Sequence, residues 1–370
     1  MTFPDGQRVV LSELGETPLE AIERFMSLEV QRAPDPATLA PDDVIVAIKS
    51  AAVGWVDLIM ASGQYQHALK PPYTPGLEYA GVVAWAGPAV THVQVGARVL
   101  VDPFLAGPRS LGAYQRWGGF ASYAVAPAAA VIAVPGALSL DQACNLLGNY
   151  ETAYHCLVTR GRLAAGETVL VLGASGATGL AAVQLAKHLG ATVIAVGRSA
   201  DKLAAVRDEG ADHTIVLDGR TLKDAVRALV PDGVDVVYDA VGGETSAEAL
   251  RALRFGGRFV LVGWAATPFV ADGKGRRGSP NVNVLPTNII MMKSLEVIGA
   301  PTAIASTRDP SLRPPRLAAV LALAAAGVIR PRVSQVFALA DFEAALQAKW
   351  RGGVVGGAVV RPDGVIENAH

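Results

Sequence analysis

The sequence predicts an α/β protein that combines an open parallel sheet of about six strands with a second, mainly β part. Three observations support this fold class. The chain has 370 residues, which is enough for two domains of ordinary size. Hydrophobic residues reach 51% while aromatic residues stay at 6%, so the core is aliphatic, as in sheets that are covered on both faces. Finally, strand-like runs and helix-like segments alternate through the middle of the chain.

The first part of the chain has the pattern of a compact β unit. Short runs rich in β-branched residues are separated there by glycine and proline, which is the pattern of successive strands and turns. The expected strands cover residues 43–53, 81–86, 98–101 and 120–125.

The alternating array begins near residue 135. Strands are expected at 168–173, 192–196, 213–217, 234–239, 257–262 and 295–299, and helices at 177–189, 200–209, 221–229 and 244–253. Each helix-like segment is long enough for a parallel crossover. The array therefore predicts a parallel sheet with helices on both of its faces.

The tail has two helix-like segments, 317–325 and 341–350, and then a strand-like run at 356–360. We expect this tail to join the β-rich part. The expected domains are then 1–134 with 305–370, and 135–304 between them. Ligand sites often lie between domains, so the active cleft is expected there.

Composition excludes several classes of protein. The 32 basic and 33 acidic residues give a net charge of -1, which argues against nucleic-acid binding through overall charge. Two cysteines, Cys144 and Cys156, provide neither a disulfide framework nor a four-cysteine zinc site, and they favour the cytoplasm. The N-terminus lacks the apolar core of a signal peptide. The longest weakly interrupted apolar stretch, 317–329, is too short to cross a membrane, so no membrane partner is expected.

The most specific single signal is a glycine-rich loop between a strand and a helix. An apolar strand leads into Gly173, Gly176 and Gly179, with the spacing G-x-x-G-x-x-G. Such small residues allow a sharp turn, a close backbone approach to a pyrophosphate and tight packing of the helix, whose first N–H groups face the anion. The loop predicts a Rossmann dinucleotide site, and a glycine-rich turn without a ligand is the alternative. Its other predicted cofactor-binding residues are Ala174, Ser175, Ala177 and Thr178.

The end of the second strand of the array indicates which nucleotide is bound. NAD sites usually carry an acidic residue there, which binds the ribose 2′-hydroxyl. Here the strand ends in Gly197, Arg198 and Ser199, and Lys202 follows one turn later. These residues favour NADP over NAD. The alternative is that Arg198 and Lys202 are solvated charges at the start of a helix.

Five segments together resemble the medium-chain dehydrogenase/reductase superfamily, specifically its zinc-independent quinone oxidoreductase and enoyl reductase branch. They are 51–65, 72–83, 151–157, 166–191 and 235–243. The resemblance extends from about residue 40 to 361. It implies a GroES-like catalytic domain, a Rossmann domain, NADPH as cofactor, and hydride transfer to a conjugated double bond or a quinone. It also implies a homodimer.

The segment Gly76–Leu77–Glu78 indicates whether the chain could bind zinc, because zinc-dependent relatives carry Gly-His-Glu at this point. Leu77 cannot ligate a metal, and no cysteine occurs in the first 140 residues. We expect an enzyme without a metal. Glu78 is then either a polar anchor in the cleft or a buried structural residue.

Tyr65 matches the tyrosine that the enoyl reductases of the family use near the substrate carbonyl and the nicotinamide. A phenol can donate a proton or a hydrogen bond to a developing enolate. The alternative is a packing tyrosine. Asp57 matches the aspartate of the family's N-x-x-D motif, and we expect it to hold a local turn or helix. The chain departs from the motif at Gly54, where the family has asparagine.

Further residues are assigned to the cofactor. By resemblance, Thr152 contacts the nicotinamide, and a helix-start cap is the alternative. Val241, Gly242 and Gly263 follow predicted strands and should lie along the cofactor, because ligands bind at strand carboxyl ends. Leu217 stands where many NADPH-dependent relatives have a tyrosine, so the NADP assignment depends on the two basic residues described above.

The segment 265–288 is longer than in the family and carries Lys274, Arg276 and Arg277. One interpretation is a lid that covers the acceptor or holds the phosphates of a coenzyme A thioester. The other is a solvated surface loop or part of a dimer contact.

These observations favour an NADPH-dependent reductase that transfers hydride to a small-molecule acceptor, which is a quinone, an enone or an enoyl thioester, without a metal. The alternative from another class is an NADPH-binding interaction protein with little turnover. A zinc-type alcohol dehydrogenase is disfavoured by Leu77.

Overall fold

The computed structural model describes residues 3–65, 69–110, 112–266 and 284–363. Contacts divide the described residues into two units, 3–147 with 333–363, and 148–266 with 284–332. Arg313 and Arg316 form ion pairs with Glu151 within the second unit.

The strands are numbered in chain order. They are β1 Gly6–Leu11, β2 Met26–Gln31, β3 Asp43–Ala52, β4 Tyr79–Ala86, β5 Arg98–Val101, β6 Tyr123–Pro127, β7 Val131–Ala133, β8 Thr168–Leu172, β9 Thr192–Gly197, β10 His213–Val216, β11 Val234–Asp239, β12 Leu253–Leu261, β13 Glu296–Gly299, β14 Val333–Ala338 and β15 Gly357–Arg361.

The α-helices are numbered in the same way. They are α1 Pro18–Glu20, α2 Trp55–Ala61, α3 Leu140–Ala143, α4 Leu147–Tyr154, α5 Ala177–His188, α6 Ala200–Asp208, α7 Leu222–Leu229, α8 Glu244–Ala252, α9 Thr287–Met292, α10 Thr302–Arg308, α11 Arg313–Ala325 and α12 Phe342–Trp350. None of the helices in the described ranges is both long and apolar enough to cross a membrane.

The second unit contains a six-stranded sheet in the order β10-β9-β8-β11-β12-β13, and every neighbouring pair is parallel. This is the Rossmann order, in which the chain starts at the middle strand β8 and the direction of winding reverses between β8 and β11. The central strands are mainly apolar, and Leu170, Leu172, Val237 and Phe259 are fully buried. The predicted parallel sheet is therefore confirmed.

The first unit is mainly β. Its described strands form a seven-stranded sheet in the order β14-β15-β3-β4-β5-β7, with β6 paired to β3, and a separate antiparallel pair β1–β2. β3 is the centre of this sheet because it pairs with β4, β6 and β15. A second mainly β domain is confirmed.

Some elements differ from the expectation. The elements that the sequence did not predict include β1, β2, β7, β14, α1, α2, α3, α4, α9 and α10. Polar residues interrupt β1 and β2, and only the end of β1 is buried without a break, so neither shows a clear alternation. The fourth expected strand begins at Tyr123 instead of residue 120.

Candidate active site

The loop after β8 needs glycine at two of its three glycine positions. Gly173 has a φ of +68°, which side chains rarely adopt. A Cβ atom on Gly179 would lie 2.3 Å from the carbonyl oxygen of Gly173 and 2.8 Å from the Cα atom of Ala174. The turn thus fixes the first glycine, and the close contact between α5 and the loop fixes the third.

Gly176 is different. Its φ of -74° suits any residue, and a Cβ atom there would make only an ordinary contact, 3.4 Å from the carbonyl oxygen of Gly173. The packing around residue 176 therefore has room for a small side chain, so the fold itself does not require glycine at this position.

The remaining residues of this loop lead into α5. The N–H of Ala174 donates to the carbonyl of Val196 at 3.2 Å, which ties the loop to β9. Ser175 and Ala177 are half-buried. The Thr178 hydroxyl donates to the side-chain oxygen of Asn149 at 3.0 Å. Because α5 begins at Ala177, the first N–H groups of this helix have no partner within the helix.

The residues after β9 form the start of α6. The hydroxyl oxygen of Ser199 accepts from the N–H of Lys202 at 3.4 Å and caps the helix. Arg198 is exposed and Lys202 is half-buried. The carbonyl of Gly197 accepts from the N–H of Leu217 at 2.9 Å, so Leu217 lies directly beside this strand end.

Asp239, at the end of β11, is a residue that sequence reasoning missed. It is fully buried, and one carboxylate oxygen accepts from the N–H groups of Val241 and Gly242, both at 2.9 Å. The Ser246 hydroxyl donates to the other oxygen. Burial raises the pKa of Asp239. A charged residue at the end of an apolar strand is the signal that could have identified it.

The parallel sheet brings the predicted cofactor residues to one edge. The loops after β8, β9, β11 and β12 all leave the carboxyl ends of their strands, and these ends share one edge of the sheet. Gly263 belongs to this set, since its N–H donates to the carbonyl of Asp239 at 3.1 Å.

Thr152 lies inside α4. Its hydroxyl donates to the carbonyl of Gly148 at 2.7 Å, one helical turn earlier. The alternative that Thr152 caps the start of a helix is therefore wrong, because α4 begins five residues earlier at Leu147.

Asp57 is the centre of the candidate site in the first unit. Its side chain is buried, and one oxygen accepts from the N–H groups of Gly76 at 2.9 Å and Leu77 at 3.1 Å. The other oxygen accepts from the N–H of Gly54 at 3.1 Å, just before α2. Asp57 thus positions two segments of backbone. A Cβ atom on Gly54 would lie only 2.7 Å from this carboxylate, so the position beside Asp57 has no room for a side chain.

Burial sets the electrostatics around Asp57. Desolvation raises the pKa of its carboxyl group to about 7, although the three backbone N–H groups lower it. Burial also lowers the pKa of the Lys349 ammonium group in α12 to about 8, and the charge of Asp57 opposes that shift. Trp350, the next residue, stacks on Trp55 of α2 with ring centroids 5.3 Å apart.

Tyr65 is half-buried and follows the turn that ends α2. That turn is fixed by the N–H of Gly63, which donates to the carbonyl of Met60 at 3.0 Å, and by the N–H of Gln64, which donates to Ile59 at 2.8 Å. Asp57 is therefore part of α2, and Tyr65 follows the turn at the end of that helix.

Leu77 is buried at the position that matches the histidine of zinc-dependent relatives. Glu78 is half-buried. Among the residues that the structure describes, no three His, Cys, Asp or Glu side chains are grouped as metal ligands would be. Both cysteines are free and buried, and burial raises the pKa of each thiol. The basic residues of the expected lid or surface loop, Lys274, Arg276 and Arg277, lie outside the described residues.

Two family models match the chain. The model of the zinc-binding dehydrogenase family matches residues 177–304, and the model of the alcohol dehydrogenase GroES-like domain matches residues 40–136. The first match covers most of the sheet of the second unit, and the second match lies within the β-rich first unit.

Individual proteins agree with the family models. A quinone oxidoreductase-like protein 2 homolog from Nematostella vectensis is 32% identical over 84% of this chain and 77% of its own length. A mycobacterial protein solved in complex with NADPH is 26% identical, with a TM-score of 0.75 over 96% of this chain and 100% of that one. A thermostable alcohol dehydrogenase from Pyrobaculum aerophilum is 27% identical, with a TM-score of 0.72 over 97% of this chain and 100% of that one. The chain therefore belongs to the medium-chain dehydrogenase/reductase superfamily of oxidoreductases.

Proposed function

We propose that this protein is an NADPH-dependent reductase that transfers hydride to a quinone or to the conjugated C=C bond of an enone or enoyl thioester, without a metal. The observation that carries the proposal is the loop after β8. Gly173 and Gly179 are required by the fold, whereas glycine at position 176 is explained by the close approach of a dinucleotide pyrophosphate.

The cofactor would be held along the carboxyl edge of the parallel sheet. The N–H groups at the start of α5 would bind the pyrophosphate, and the loop that Asp239 holds after β11 would lie along the dinucleotide. Thr152 would contact the nicotinamide. When bound, NADPH supplies the hydride that reduces the acceptor.

NADPH is favoured over NADH by the residues after β9. The strand end carries no acidic residue that would accept from a ribose 2′-hydroxyl, and Arg198 and Lys202 lie at the start of α6. Two basic side chains beside a 2′-phosphate would form charge-assisted hydrogen bonds. A related mycobacterial structure with bound NADPH supports the same choice.

Tyr65 would complete the reaction on enone and enoyl substrates. As hydride adds to the β-carbon, negative charge develops on the carbonyl oxygen, and the phenol O–H would stabilise it or protonate the product. Asp57 would act as a positioning residue, since one of its carboxylate oxygens accepts from the N–H of Gly54 and the other accepts from the N–H of Gly76. Reduction of a quinone would depend less on a hydrogen bond or a proton from Tyr65.

A homodimer in the cytoplasm completes the proposal. β13 is an edge strand of the described sheet, and large apolar side chains are exposed near that edge, including Met291, Met292, Val297 and Ile304. An exposed edge of this kind suits pairing with a second copy of the chain. The two buried free thiols fit a reducing compartment.

A panel of acceptors tests the proposal. Quinones, enones and enoyl-CoA thioesters are offered with NADPH and with NADH, and cofactor oxidation is followed by absorbance. We expect turnover with at least one class and a KM for NADPH roughly tenfold below that for NADH. Arg198→Ala should remove that preference, while Arg207→Ala, at the far end of α6, should keep it. Tight NADPH binding without turnover on any acceptor would instead indicate a binding protein.

A Tyr65→Phe variant tests the proton donor on the same panel. Rates on enones and enoyl thioesters should fall about 100-fold, while rates on quinones should change little. Tyr123→Phe in β6 is the matched control and should leave all rates unchanged. Unaltered rates of Tyr65→Phe on every acceptor would remove Tyr65 from the mechanism.

A further inference from the structure

The first unit contains a cavity that the proposed reaction does not use. Its volume is about 260 Å³, which is smaller than the roughly 300–1,000 Å³ of pockets that hold drug-sized ligands. The residues that line it come from β1, from the segment 31–39 at and after the end of β2, from residue 74 and from the segment 116–121. All of them belong to the first unit, whereas the predicted cofactor residues belong to the second.

Hydrogen bonds and close packing hold the walls of this cavity. The side-chain nitrogen of Gln31 donates to the carbonyl of Tyr123, and its side-chain oxygen accepts from the N–H of Tyr123, both at 2.9 Å. Elsewhere in the wall, a Cβ atom on Gly118 would lie 1.9 Å from the carbonyl oxygen of Thr74, so only glycine fits there. The fold therefore fixes the shape of the cavity.

Positive side chains predominate in the lining. Its three arginines are Arg8, Arg32 and Arg116. Among the described residues of the lining, Asp35 is the one acidic side chain; it is exposed, and its carboxylate accepts from the N–H of Ala37 at 3.0 Å. The carboxylate of Asp5, near the lining, accepts from the N–H of Ala33 at 3.1 Å. The cavity thus offers more guanidinium groups than carboxylates.

The arginines have hydrogen-bond donors that the described fold does not use. Nη2 of Arg8 pairs with Glu29 at 3.5 Å, but Nε of Arg8 is buried and has no hydrogen-bond partner among the described residues. Arg32 and Arg116 form no ion pair with any residue that the structure describes, and the Arg116 guanidinium lies over the ring of Trp117, 5.1 Å from its centre. An unpaired buried donor of a charged group is costly, and an anionic oxygen would pair with it.

We propose that this cavity binds a small organic anion, whose carboxylate or phosphate group is held by Arg8, Arg32 and Arg116. A planar guanidinium group can donate two parallel hydrogen bonds to either kind of group. Arg32 and Arg116 are exposed, so the anion can reach them from solvent. Pro34 and Leu39 also line the cavity and would contact the apolar part of the molecule.

Three small molecules with a common carbon skeleton test the proposal. The full chain is titrated in a calorimeter with glycerol 3-phosphate, with glycerate and with uncharged glycerol at constant ionic strength. We expect at least one of the two anions to bind with a Kd below about 1 mM, and glycerol not to bind. The anion that binds more tightly shows whether phosphate or carboxylate is preferred. Binding of neither anion, or equal binding of glycerol, overturns the proposal.

Arginine variants show whether the anion binds in this cavity. Arg8→Gln and Arg32→Gln should each weaken its affinity roughly tenfold, because each variant loses a charge-assisted hydrogen bond. Arg351→Gln, at an exposed position elsewhere in the first unit, removes the same charge and should keep the wild-type affinity. Wild-type affinity in Arg32→Gln, or an equal loss in Arg351→Gln, contradicts binding at this site.

Hydrogen exchange locates the bound anion without any substitution. With the tighter-binding anion present, backbone amides in 31–39 and 116–121 should exchange more slowly, while those in 173–180 should not change. Slower exchange at 173–180 and not around the cavity would place the anion at the loop after β8, and the proposed site would be wrong.

Discussion

Asp57 shows how a single buried carboxylate can hold two backbone segments of the first unit together. It holds the start of α2 through the N–H of Gly54 and a second segment through the N–H groups of Gly76 and Leu77. The motif around Asp57 predicted a role in the local turn. The bonds to residues 19 and 20 positions away depend on tertiary structure and have no local signal in the sequence.

Asp57 should make stability depend on pH. Its folded pKa is raised from 3.8 to about 7, so the folded state binds this proton more tightly than the unfolded state does. The carboxyl group is neutral in both states well below pH 4 and costs nothing there, and its cost is complete only well above pH 7. We expect the free energy of unfolding of wild type, relative to Asp57→Asn, to fall by up to about 4 kcal/mol between pH 4 and pH 8.

Urea denaturation of both proteins across this pH range measures the effect. Asp232→Asn, at an exposed turn, is the matched control and should parallel wild type at every pH. A constant difference between wild type and Asp57→Asn would show that the carboxyl group ionises as easily in the folded protein as in the unfolded chain.

The residues that sequence reasoning missed share one property. Asp239 and Glu151 are buried carboxylates whose partners are backbone N–H groups or distant arginines. Asn149 likewise meets Thr178 across 29 positions of sequence. Short motifs show which residue types are present, but not which groups the fold brings to them.

At the scale of elements, the three glycines of the loop between β8 and α5 have different structural roles. Gly173 provides the turn and Gly179 the close packing, while Gly176 is free of both demands. The sequence predicted three roles for three glycines, and the structure assigns two of them to the fold itself.

Two alanine variants should separate these roles. Gly179→Ala forces a methyl group against backbone atoms and should cost about 2–3 kcal/mol of stability. Gly176→Ala should unfold like wild type but bind NADPH at least about tenfold more weakly, because the methyl group would occupy the space of the pyrophosphate. Chemical denaturation and fluorescence titration with NADPH measure both quantities. Equal NADPH affinity in Gly176→Ala and wild type would remove the loop from the cofactor site.

Elements with a strong period were predicted well, and weakly patterned ones were not. β8, β9, β11 and β12 are apolar strands between amphipathic helices, so pattern alone identifies them. Three of the six residues of β1 and four of the six of β2 are exposed or half-buried, and α9 and α10 have six and seven residues. Such short elements depend on tertiary contacts, which pattern does not show.

At the scale of the whole molecule, the second unit is inserted in the sequence of the first unit. The described part of the second unit is 148–266 with 284–332, and the first unit resumes at 333 with β14, α12 and β15. β15 pairs with both β3 and β14, so the tail adds to the sheet of the first unit. The domain boundaries of 134/135 and 304/305 that the sequence suggested remain a prediction.

The proposed homodimer should depend on the edge strand β13. Val297 is 38% exposed in the middle of this strand, and a charge there would oppose pairing of two copies. Val297→Lys should elute at the mass of one 38.2 kDa chain in size-exclusion chromatography with light scattering, and wild type at about twice that mass. Val95→Lys, on an exposed site in the first unit, should stay dimeric. Wild type that elutes as a monomer would contradict the dimer.

The most direct test of the central claim follows the hydride itself. NADPH with deuterium at both hydrogen positions of nicotinamide C4 is mixed with the protein and the enone that turns over fastest, and the product is examined by mass spectrometry and NMR. Hydride transfer predicts one deuterium on the β-carbon of the product and none on the α-carbon, where the added proton comes from Tyr65 or solvent. Product without deuterium, or no product with any acceptor despite bound NADPH, would contradict the assignment as a reductase.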